Sequence, residues 1–204
     1  MRIIIFMLLS IIPFVSFSQS WKDSKVSWKD IQKEYRFNFN EMSNFVYFDD
    51  STNISYLKET MEPINGIVVI EYDNGNIACK WNFINGIRPD GVIKAYHING
   101  KLRLKGFIEN GKIEGLYKTW HESGKLQSEV NYKAGLEDGI RKAYYENGQL
   151  KYEYIMQDGE FTGLCKTWYE NGQLKSEGFL EKGLRVGVWS DYDENGNLII
   201  EKKY

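Results

Sequence analysis

Few residue types in this chain could do chemistry, and most of them recur at one interval. Cys79 and Cys165 are its only thiols, and His97 and His121 its only imidazoles. The two histidines stand 24 residues apart, as do Glu129, Glu153 and Glu177 in turn. A set of carboxylates raises the prospect of general acid or base work. An aromatic series, Tyr96, Trp120, Tyr144, Trp168 and Tyr192, keeps the same interval. Lys94, Lys118, Lys142 and Lys166 each lie two residues before one of these rings. Aromatic platforms beside cations suit the binding of a peptide, a sugar chain or a lipid. Whether any of this is a site or a framework depends on the elements that hold it.

The interval itself is written in glycine. One column is Gly75, Gly100, Gly124, Gly148, Gly172 and Gly196. A second is Gly86, Gly111, Gly135, Gly159 and Gly183, and a third is Gly66, Gly91, Gly115, Gly139, Gly163 and Gly187. Together they hold 17 of the 19 glycines, leaving Gly106 and Gly178, so glycine here shapes the backbone and grips no phosphate. Each step is 24 residues except the first, which is 25 because "IRPD" at 87–90 carries one extra residue. The first glycine is Gly66, so residues 19–63 read as a separate cap preceding an array over residues 64–204.

Asn-Gly between alternating apolar flanks predicts a two-residue type I′ hairpin turn at Asn147–Gly148, Asn171–Gly172 and Asn195–Gly196. The second connection reads as G-x-x-x-G, for example Gly159–Gly163. With the first turn centred on Asn147–Gly148, Lys142 faces Glu153; the same rule sets Lys166 opposite Glu177 and Lys118 opposite Glu129. Opposite charges directly across a ladder each contribute about 0.2–1 kcal/mol. The pattern lapses at the ends, where Lys94 faces Lys105 and Ser190 faces Glu201. Period-2 alternation puts Ile67, Val92, Leu116, Ile140, Leu164 and Val188 on the face of the aromatic stripe. By the same register the column Leu102, Leu126, Leu150, Leu174 and Leu198 lies on the other face, opposite Tyr145 and Tyr169. The expected fold is all-β, an elongated antiparallel meander of repeated hairpins behind a small helix-containing cap.

Units of the form "YYENGQL…G…G" resemble variant MORN repeats, and the chain is similar to the bacterial repeat proteins labelled YwqK-family antitoxins. The resemblance rests on Tyr145–Leu150, Tyr169–Leu174, Asp193–Leu198 and the glycine columns, over about residues 64–201. It implies a hairpin array that serves as a scaffold, a membrane-proximal module or an appendage to an enzyme or, as the antitoxin label implies, an inhibitor of a partner protein.

Against that frame the chemistry recedes. Seven strand steps, about 33 Å, separate the two cysteines, too far for a disulfide. The histidines lie about 10 Å apart, too far to share a metal ion, and replace the tyrosines of later repeats. A lysine opposite each glutamate favours the ionised form and works against a general acid. No catalytic group, metal or cofactor is therefore expected. With 26 basic and 28 acidic residues the chain has no basic surface for nucleic acid. Residues 1–18 have the layout of a secretory signal: Arg2, an apolar run from Ile3 to Val15, and Ser16 and Ser18 before a cut at Gln19. Trp28, Ile31 and Tyr35 have helical spacing, with Ser27 placed to cap and Asp30 three residues on, while "YRFNF" and "FVYF" read as strands. The reading is an exported interaction or scaffold module of a bacterial envelope, periplasmic, outer-membrane-associated or extracellular, with a protein partner or, alternatively, a glycan or lipid on the stripe.

Overall fold

A computed structural model describes residues 33–52 and 54–204. The signal at residues 1–18 lies outside these, as do Trp28 and Ile31 of the expected helix and its Ser27 cap. Tyr35, which that helical spacing includes, stands in a strand. The elements are β1 (Glu34–Asn38), α1 (Met42–Phe45), β2 (Val46–Asp49), β3 (Ile54–Leu57), β4 (Gly66–Glu71), β5 (Ile77–Phe83), β6 (Gly91–Tyr96) and β7 (Leu102–Glu109). They continue as β8 (Lys112–Trp120), β9 (Leu126–Lys133), β10 (Leu136–Tyr144), β11 (Leu150–Gln157), β12 (Glu160–Trp168), β13 (Leu174–Glu181), β14 (Leu184–Tyr192) and β15 (Leu198–Lys203). From β4 to β15 every strand pairs with the next, in one open sheet. β1 joins this sheet in parallel beside β4, and β2 and β3 form a small hairpin of their own.

The expected pairs are all present: Lys118↔Glu129, Lys142↔Glu153 and Lys166↔Glu177, along with Lys94↔Lys105 and Ser190↔Glu201. The turn that produces them differs from expectation. In the Asn147–Gly148 turn only the glycine has a positive φ, +93°, and the Gly148 N–H donates to the Tyr145 carbonyl. Tyr145 then donates to Gln149, so the loop spans three residues and closes on a left-handed glycine, the alternative to type I′. Next to this loop Tyr144 faces Leu150, and a bulge restores Ala143↔Tyr152. The longer loop and the bulge offset one another, which is why the two-residue count arrived at the correct ladder.

Two further expectations change with the turn. The leucines face the aromatic stripe, not the Tyr145 column: Leu126↔Trp120, Leu150↔Tyr144 and Leu174↔Trp168 are pairs, so they share its face. The true two-residue turns are at the second glycine column, where both residues have positive φ, as in Asn110 (+50°) and Gly111 (+72°). Gly163 of the supposed G-x-x-x-G loop lies within β12, at φ +65°, where the register to β11 shifts. A left-handed residue inside a strand is a bulge position that glycine tolerates without a Cβ penalty.

The core lies on the face opposite the stripe. Ile93, Leu104, Val130, Ala143, Met156, Cys165 and Trp189 are buried there. At the first end the cluster is deepest: Ile64, Val68, Ile70, Cys79, Phe83 and Ile108 pack with Tyr35, Phe37, Phe39, Met42, Val46 and Leu57 of the cap. Cys79 and Cys165 are free thiols, and burial pushes them up to about 12 and about 11 respectively.

Candidate interaction surface

The stripe residues come together as the alternation requires, in half-buried positions along one face. Each strand pair also places a charge row beside the rings. Lys118, Lys142 and Lys166 are ion-paired with Glu129, Glu153 and Glu177 at 3.2, 3.0 and 2.9 Å. Two stripe tyrosines add to this row, since the Tyr144 hydroxyl donates to Glu129 and the Tyr192 hydroxyl to Glu177. Burial, then the Glu129 carboxylate, pushes Tyr144 up to about 12. Glu177 is held below the ordinary carboxylate range, first by the Lys166 ammonium.

That shift carries a sign. A carboxyl with a lowered folded-state pKa adds stability above its unfolded value, near 4.5, and loses it as pH falls through the folded value. Glu177→Gln should therefore cost about 0.2–1 kcal/mol at neutral pH, the pair being partly solvated, and that cost should fade as pH falls through the folded value. Thermal midpoints of the two proteins measured against pH should converge in acid. A gap unchanged at low pH would contradict the assignment.

A second ladder staples successive repeats at their loops. His97 Nε2 lies 2.7 Å from the Trp120 carbonyl and His121 Nε2 3.0 Å from that of Tyr144. The hydroxyls of Tyr72, Tyr145 and Tyr169 donate to the carbonyls of Tyr96, Trp168 and Tyr192. The histidines hold the place of tyrosines and do the same work. Among the described residues no group of three or more His, Cys, Asp or Glu could hold a metal ion.

The face is uneven at its first end. β5 and β6 share a single ladder pair, Cys79↔Ala95, where other neighbours in the sheet share several. This seam follows the 25-residue step, with Arg88 folded over the Trp81 ring at 5.5 Å. Lys80, Val92, Lys94, Tyr96 and Lys105 line a hollow of about 420 Å³ across it. On the opposite face, near the far end, Tyr152, Tyr154, Phe161, Arg185 and Trp189 line an open groove of about 510 Å³. Sequence reasoning found neither. Lys105, standing where later repeats have glutamate, was the available signal for the first; the second depends on how rings pack, and no period announces it.

The unit boundaries are now visible in the backbone, and they match a known module. A family profile described as MORN repeat variant matches residues 113–134, 137–158, 161–182 and 185–204. Each match begins two residues after a turn glycine, at Gly111, Gly135, Gly159 or Gly183. Comparison with curated proteins returned no match. Repeats of this kind generally mediate protein or membrane-lipid interaction and are not typically catalytic. The β4–β5 and β6–β7 hairpins, before residue 113, share the same sheet and the same glycine turns without being matched.

Proposed function

We propose that this chain is a non-enzymatic interaction module of the cell envelope that presents the stripe face of its sheet to a protein partner. One observation carries the reading. Val92, Phe107, Leu116, Ile140, Phe179 and Val188 are 41–59% exposed, and they recur along the stripe face beside the charge row. Large apolar side chains repeated along one open face are what a partner covers. The neighbouring lysines and glutamates neutralise one another, which leaves shape and apolar contact to supply much of the affinity. Export rests on the signal-like residues 1–18. Inhibition of the partner, which the sequence resemblance implies, is one form such binding could take.

The test is positional. Benzoylphenylalanine placed at Ile140, on the stripe face, should photo-cross-link one defined protein in an envelope extract. The same group at Tyr152, on the opposite face, should not. Equal cross-linking from both faces, or a lipid or glycan adduct from Ile140 in place of a protein, would overturn the reading.

A further inference from the structure

We infer that the hollow at the β5–β6 seam takes an acidic, extended segment of the partner, held by Lys80, Lys94 and Lys105. This rests on the stripe face being a protein-binding surface. Three departures from the repeat coincide here. The first is charge. Lys105 holds the place of Glu129, Glu153 and Glu177, so it faces Lys94 on one side and Lys118 on the other. Like charges directly opposed destabilise a ladder. An array that has glutamate at this position four times, from Glu129 to Glu201, and lysine at Lys80 and Lys105, accepts a cost where Lys105 meets two other lysines.

The second departure is the ladder itself. The single pair Cys79↔Ala95 sets Lys80 beside Lys94 on the stripe face, one residue along each strand. The opened seam provides the hollow, and the three ammonium groups line it together with Tyr96. Lys80 reaches Glu34 at 3.5 Å and Lys118 is taken by Glu129. Lys94 and Lys105 have no ion pair among the described residues. The third departure is the step of 25 residues, whose extra residue lies in "IRPD", in the connection between the two seam strands.

The surroundings specify the occupant. Beyond Lys118 the same face presents Glu129, Glu153, Glu177 and Glu201. Three of these are neutralised by Lys118, Lys142 and Lys166, so a flat anionic bilayer laid over the sheet finds no net positive charge beyond the seam, whereas a segment a few residues long meets only the seam lysines. Val92 and Phe107 stand opposite each other, exposed, on one side of the cations, and Tyr96 closes the other. Carboxylates flanked by apolar side chains complement that arrangement.

A fluorescein-labelled hexaglutamate peptide with a leucine at each end tests this by anisotropy at low salt. Lys105→Glu should weaken binding about tenfold or more, because it removes one cation and neutralises another. It should also raise the thermal midpoint, since the new carboxylate stands between Lys94 and Lys118 and repairs the ladder. Lys105→Gln, which removes one cation without neutralising another, should weaken binding in the same direction by a smaller factor. Lys203→Glu makes the same charge change on the same face eight strands away, and should weaken binding less than about twofold. Phosphatidylglycerol vesicles should not retain the protein. Equal weakening by Lys105→Glu and Lys203→Glu, loss of binding only where the midpoint falls, or retention by vesicles with no peptide binding would each overturn the inference. An Ile140 cross-link that survives Lys105→Glu removes only this inference; a missing cross-link in the unmutated protein removes the reading beneath it.

Discussion

Gly178→Ala is expected to destabilise the protein by about 1–3 kcal/mol or more through overpacking, and that cost should largely vanish when Trp189 is truncated. Gly178 lies opposite Trp189, and a Cβ built on it would come within 2.3 Å of the indole Cδ2 and 2.5 Å of Cγ. Cγ is the root of the ring, so no small rotation of a flexible tip relieves the clash. No positive φ is involved at this glycine, so backbone strain does not contribute. Trp189 is 3% exposed, its Nε1–H donates to the Phe179 carbonyl, and Arg185 stacks on it at 4.1 Å. Trp189→Ala alone should cost about 3–5 kcal/mol. In the double variant the two costs should fall short of their sum by about 1–3 kcal/mol, as expected for residues sharing one space. Urea denaturation of the four proteins measures the cycle. Additive costs would mean that the ring does not occupy the place the glycine leaves.

Removing residues 1–63 should abolish the soluble native fold, and Ile64→Ala in the full chain should cost about 2–5 kcal/mol. Ile64 is fully buried, and Tyr35, Phe37, Phe39, Met42, Val46 and Leu57 cover the same cluster. Without them Val68, Ile70 and Phe83 face water, and β4 loses its neighbour β1. Total domain stability is only about 5–15 kcal/mol, so exposing such a cluster is not survivable in isolation. Because an array transmits stability between neighbours, the effect of Ile64→Ala should be local. Amide exchange should accelerate in β4 to β7 and stay near its original rate in β12 to β14. A truncated chain with an unchanged spectrum and midpoint would make the cap a mere appendage.

These two predictions mark what was hidden from sequence reading. The composition change at Gly66 suggested a separate cap, yet β1 adds to the main sheet and the cap side chains seal its deepest core. Parallel pairing between residues about 33 apart leaves no periodic trace. Gly106 and Gly178 fell outside the three glycine columns, and a reason emerges only from the side chains opposite them, Tyr117 and Trp189. The seam lysines were visible as a lapse in the Lys–Glu alternation. Taken alone, that lapse looked like the ordinary irregularity of a terminal repeat. The backbone opening between β5 and β6 is what turned it into a place with a shape.

By itself the sequence determined the period, the ladder and the two-faced alternation. These follow from local chemistry repeated many times: glycines where φ must be positive, and residues two apart on one side of a strand. A two-residue turn assumption yielded the correct register because the bulge offsets the third residue of the loop. The tertiary structure decided which face carries the core, that the leucines belong with the aromatic stripe, and where the sheet opens. Those outcomes depend on packing between elements distant in sequence and on single departures from the repeat. A period, being an average over copies, is blind to both.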